Sequence, residues 1–79
     1  MAKSRLRGEV RERLQKVGDS CWENRHSLGL TQKELAKILD INVNTIVALE
    51  GAKNDISFSN LCKLWLFFKS KGIKFEVFY

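Results

Sequence analysis

The chain has 79 residues, 44% of them hydrophobic and 29% charged, with two cysteines, one histidine, no proline and a net charge of +5. That length allows one small domain, burying roughly 60% of its unfolded surface, and the composition excludes a disordered tail. The longest apolar run, Leu64 to Phe68, is too short to span a bilayer, and no apolar segment follows the basic N-terminus, so a cytoplasmic protein with no membrane partner is expected.

The same counts argue against an enzyme. Acid–base or nucleophilic catalysis needs paired groups, and His26 is the only histidine. Two cysteines and one histidine fall short of the four ligands of a structural zinc site, and no glycine-rich phosphate loop is present. No metal and no cofactor are expected, and Cys21 and Cys62 are expected to be thiols instead of a disulfide.

The excess charge gathers at the N-terminus. Residues 1–16 hold Lys3, Arg5, Arg7, Arg11, Arg13 and Lys16 against only Glu9 and Glu12. Glu9–Arg13 and Glu12–Lys16 are i,i+4 pairs of the kind that decorate a solvated helix face. Those two pairs leave over Lys3, Arg5 and Arg7, which would suit an arm reaching a phosphate backbone. Both readings stay open.

Leu6, Val10, Leu14, Val17 and Cys21 recur at spacings of three and four, which predicts a first helix, widened by Trp22 and ending near Ser27, with a kink or break at Gly18. Thr31-Gln32-Lys33-Glu34 is a capping box that opens a short second helix through Leu35, Ala36, Ile38 and Leu39. After the turn Asp40-Ile41, Asn42 is a good N-cap for a third helix, Val43 to Glu50, which Gly51 stops. A polar loop, Ala52-Lys53-Asn54-Asp55, leads to a fourth helix capped by Ser57 or Ser59, ending near Ser70 with Gly72 as its stop. Two short helices across so tight a turn form the helix-turn-helix arrangement, with Ala36 at the close approach, Ile41 plugging the turn and Ile46 and Leu49 facing inward. Glu50 is expected to be an internal brace, and His26 an exposed helix residue.

The segments Leu28-Gly29-Leu30-Thr31-Gln32-Lys33-Glu34-Leu35-Ala36, Ile41-Asn42, Thr45-Ile46 and Leu49-Glu50 resemble the Cro/C1-type (XRE) helix-turn-helix regulators of bacteria and phages, most of all the HipB-type antitoxins. The likeness is specific over residues 28–50 and looser to about residue 68. It implies an all-α, lambda-repressor-like domain of four to five helices, with a short C-terminal strand used in dimerisation. It also implies DNA contact from Gln32, base contacts from Val43, Asn44, Val47 and Ala48, and phosphate contacts from Asn42, Thr45, Lys53 and Asn54. Lys33 and Lys37 form either a solvated face or a phosphate-contacting one. Two features depart from the family. Three of the four base-reading positions are apolar, where only thymine methyls can be read, so Asn44 alone suits a bidentate contact to adenine. Gly51-Ala52 stands where the family carries a polar residue followed by glycine.

The C-terminal third is apolar on nearly every face of the fourth helix: Phe58, Leu61, Cys62, Leu64, Trp65, Leu66, Phe67 and Phe68. A small monomer has little to bury these against, so a subunit interface through Trp65 and Phe68 is expected. In residues 73–79, Ile73, Phe75, Val77 and Tyr79 alternate with Lys74, Glu76 and Phe78, a strand pattern whose economical partner is the same strand in a second copy. The expectation is therefore one domain over 1–79, with the helix-turn-helix at 31–50 and dimerisation elements at 57–79. As a homodimer it would repress transcription from an inverted repeat in double-stranded DNA. Two alternatives stand beside it: an antitoxin that binds a toxin protein and autoregulates its operon, and an interaction module that keeps the fold without base reading.

Overall fold

The structure is a computed structural model that describes the backbone of residues 2–53 and 56–75 and the side chains of 7–53 and 56–75. The described chain is all helical: α1 (Ala2–Ser27), α2 (Gln32–Leu39), α3 (Val43–Glu50) and α4 (Phe58–Ser70). Three N-termini are capped as their sequences dictate. Thr31 accepts from the Glu34 amide while the Glu34 carboxylate accepts from the Thr31 amide, at 3.0 and 2.8 Å. Asn42 Oδ1 accepts from the Asn44 amide at 2.8 Å, and Ser57, not Ser59, caps α4.

All four C-termini close in one way. The amides of Leu30, Ile41, Lys53 and Ile73 reach back to the carbonyls of Arg25, Ala36, Ala48 and Phe68, each one residue after a left-handed residue. This is the Schellman arrangement. Gly29 and Gly72 take the left-handed position after α1 and α4, where glycine carries no steric cost. Asp40 and Ala52 take it after α2 and α3, at φ 55° and 53°. α3 ends at Glu50 with Gly51 as its cap, as expected, but Gly51 keeps right-handed geometry and the left-handed position falls on Ala52. The departure from the family pattern at Gly51-Ala52 is therefore a strained alanine at a position that suits glycine.

α1 is unbroken. Gly18 does not kink it; a Cβ there would collide with the backbone carbonyl of Leu49 and crowd Glu50. The glycine lets α1 and the end of α3 touch backbone to backbone. Around that contact lies one core: Val17 and Cys21 from α1, Leu35, Ala36 and Leu39 from α2, Ile46 and Leu49 from α3, Leu64 and Phe68 from α4, and Phe75. Ile41 packs against it from the turn.

Several sequence expectations are corrected here. The apolar stripe of α1 begins to be buried only at Leu14; Val10 is 48% exposed, and the Leu6 side chain lies outside the described residues. Trp22 does not widen the buried face. It is half exposed and stacks on the His26 ring at 3.9 Å. The N-terminal arm is helical from Ala2. Phe68, expected at a subunit interface, is fully enclosed in its own subunit's core, because that side of α4 faces the other helices. The tail shows no strand over residues 73–75. It folds back so that Phe75 is buried against Phe68 at 5.3 Å between ring centroids, and Asn24 Nδ2 donates to the Lys74 carbonyl at 3.0 Å. Val77 and Tyr79 lie outside the described residues.

Candidate nucleic-acid interface

The inward positions of α3 are Ile46 and Leu49, both buried. With 3.6 residues per turn, the opposite side of the helix presents Asn44, Val47 and Ala48. Asn44 and Val47 are exposed and Ala48 is partly so. Asn44 is the one polar side chain at the centre of that face. Val43 and Thr45 lie on its flanks and are half buried, Val43 against the core cluster. Asn42 is exposed; its side-chain oxygen is committed to the cap, which leaves its Nδ2 to donate outward. Lys33 and Lys53 are exposed, and Asn54 lies outside the described residues.

What holds this face is a buried polar cluster that local patterns did not reveal. Arg25 is 7% exposed and pairs with Glu50 through two parallel bonds, Nε to Oε2 and an η nitrogen to Oε1, both 2.8 Å. It also donates to the Leu30 carbonyl at 2.9 Å. Gln32 Nε2 donates to Glu50 Oε1 at 3.1 Å. The Glu50 carboxylate thus ties the end of α3 to α1 and to the first residue of α2. Such fork-to-fork pairing is the strongest side-chain bond available and fixes orientation as well as distance. A sequence signal for it existed. Arg25 continues the spacing of Val17 and Cys21 along the buried stripe, and a cation there requires a carboxylate partner.

The electrostatics follow from that cluster. The bond to Glu50 pushes the Arg25 guanidinium up, so it stays charged despite its burial. Burial pushes the Glu50 carboxyl up, but the bonds from Arg25 and Gln32 outweigh it and hold it below the ordinary carboxylate range. Burial, reinforced by the neighbouring Glu50 carboxylate, pushes the Cys21 thiol up. It therefore stays protonated and donates to Glu50 Oε2 at 3.4 Å. Glu50 is the brace that the sequence suggests. Gln32, expected on the DNA, has its amide nitrogen directed at Glu50, which leaves its side-chain oxygen as the free group.

The expected dimerisation residues divide by exposure. Trp65 is 42% exposed, Ile73 is half buried, and Phe68 and Phe75 are interior. Phe58 and Leu66 are more exposed than Trp65 and share its side of α4. The Lys69 ammonium sits 4.6 Å over the Trp65 ring.

Among the described residues, no three His, Cys, Asp or Glu side chains come together as metal ligands, and no helix is long and apolar enough to cross a membrane. Residues 23–69 match a protein family described as Helix-turn-helix. No curated protein and no solved structure matches the chain.

Proposed function

The chain belongs to the helix-turn-helix family of DNA-binding transcription regulators, and from that premise we propose that it is a sequence-specific repressor acting as a homodimer on an inverted repeat. The observation that carries this reading is the exposed Asn44–Val47–Ala48 face of α3, set against α1 and α2 by the Arg25–Glu50–Gln32 cluster. A helix braced in this way presents base-reading groups with little backbone ordering cost on binding. In this reading Asn44 takes adenine, Val43, Val47 and Ala48 lie against thymine methyls, and Gln32, Lys33, Asn42, Thr45, Lys53 and Asn54 hold phosphates. The side of α4 that exposes Phe58, Trp65 and Leu66 supports the dimer, because a small soluble subunit seldom leaves so much apolar surface uncovered.

The test is selection of bound genomic fragments, then titration of the recovered site with the parent protein and Asn44→Ala. We expect the substitution to cost about 1–3 kcal/mol on that site and to relax preference at one A·T pair. Equal loss on specific and random DNA would make Asn44 a phosphate contact. One observation favours a second reading. The outward face of α3 is mostly aliphatic, as a protein-binding helix would be, and a module or antitoxin that grips a partner protein would use it. Failure of the full chain to bind any duplex at low salt would favour that reading.

A further inference from the structure

The charge and the fold disagree about where DNA affinity comes from. α3 contains no lysine or arginine, and its one acid, Glu50, is neutralised by Arg25. The first sixteen residues hold six of the fourteen cations and two of the nine anions, so they carry +4 of the net +5 and leave +1 for the remaining 63 residues. The helix-turn-helix body is thus close to neutral. Duplex binding by proteins draws most of its non-specific free energy from phosphate neutralisation, which that body is poorly equipped to supply.

The cations sit on a projecting rod. α1 has 26 residues, about 39 Å at 1.5 Å per residue, and the molecule measures 42 × 24 × 20 Å. Residues 7–13 are all exposed, and Val17 is the first buried side chain. Arg7 therefore stands about 15 Å beyond the core along the helix. The face on which the arginines lie is set by spacing. Arg7, Arg11, Leu14, Gly18, Cys21 and Arg25 recur every three or four residues and share one side of α1. Gly18 lies against Leu49 and Glu50, and Cys21 and Arg25 bond Glu50. The side of α1 that meets the end of α3 is thus continued, past Leu14, by Arg11 and Arg7. Both are exposed, and neither has an ion-pair partner among the described residues. The turn that carries Lys53 directly follows Leu49 and Glu50, so Arg7 and Arg11 continue the side of α1 that meets this end of α3.

We propose that the projecting half of α1 is a helical backbone clamp, in which Arg7 and Arg11 bind the phosphates flanking the site read by α3 and provide a large share of the electrostatic affinity. The inference rests on the DNA-binding reading above. Its occupant is duplex phosphate, selected by charge complementarity, and no base preference is attached to it.

The experiment measures duplex affinity against salt concentration for the full chain, for Arg7→Gln/Arg11→Gln and for Arg7→Lys/Arg11→Lys. Both substituted positions are solvent-exposed on a helix, so the fold is retained; circular dichroism checks it. Each lost phosphate contact lowers the salt slope by about 0.9. The glutamine pair should therefore lower it by about two units per bound protomer. The affinity gap to the parent should then narrow about tenfold per protomer between 50 and 200 mM salt. The lysine pair should keep the parent slope, and base preference should be the same in all three. An unchanged slope in a glutamine pair that still binds its site overturns the clamp and leaves the DNA reading standing. A parent chain that binds no duplex at 50 mM salt overturns both.

Discussion

Glu50 concentrates several roles in one carboxylate. It is the only acid on α3, 4% exposed at its side chain, and it receives bonds from Arg25, Gln32 and Cys21. Removing its charge leaves a buried guanidinium without a counterion, a loss of about 3 kcal/mol or more. A domain of this size has only about 4–12 kcal/mol in total. Glu50→Gln should accordingly shift the urea midpoint well downward at pH 7; an unchanged midpoint would show that the pair contributes nothing. The acid response has a definite sign. The carboxyl is held below its unfolded value of about 4.3, so the pair's contribution is complete above that pH and fades as pH falls through the lower folded value. Thermal scans of the parent should show this loss only below about pH 4, and Glu50→Gln should show less of it. A parent protein losing this stability between pH 7 and 5 would contradict the assignment.

At the scale of elements, two small residues set how the helices meet and stop. Gly18 is where α1 lies on the end of α3. Alanine would gain about 1 kcal/mol of helix propensity. Its methyl, however, would press on backbone atoms, which cannot turn aside as a side chain does. Gly18→Ala should destabilise by about 2 kcal/mol net or force α1 away from α3, and a stability gain in denaturant titration would refute the close approach. Ala52 is the opposite case. A left-handed alanine costs about 1–2 kcal/mol, and glycine returns most of that less its extra chain entropy. Ala52→Gly should raise the melting temperature, corresponding to about 0.5–1 kcal/mol, without moving the site. The same geometry at Asp40 is less strained, since short polar side chains tolerate the left-handed region.

The whole molecule divides the C-terminal segment between two tasks. Ile73 closes the α4 turn and Phe75 fills the core beside Phe68, so both serve the subunit that carries them. Deleting residues 73–79 would empty a core position, about 3–5 kcal/mol for a phenylalanine, and would confuse unfolding with loss of pairing. Deleting only 76–79 keeps Phe75. If the homodimer depends on pairing of the tails, that shorter deletion should sediment as a folded monomer and lose affinity for a two-half-site duplex much more than for a single half-site. A truncated protein that remains dimeric would transfer the interface to Phe58, Trp65 and Leu66.

The local features were legible in the chain itself. The capping box, the Asn42 cap and the glycine stops after α1 and α4 depend on residues within a few positions of one another, and backbone hydrogen bonding leaves little choice among such neighbours. The helix-turn-helix spacing was legible for the same reason, and so was the outward placing of Asn44 and Val47. The tertiary structure decided what depends on distant partners. It placed Arg25 with Glu50 across 25 residues, made Gly18 a contact and not a break, and turned Phe68 and Phe75 inward while Val10 and Trp22 stayed exposed. Periodicity says which side chains share a face of a helix. Whether that face is covered depends on where the other helices end, and α1 outruns them all.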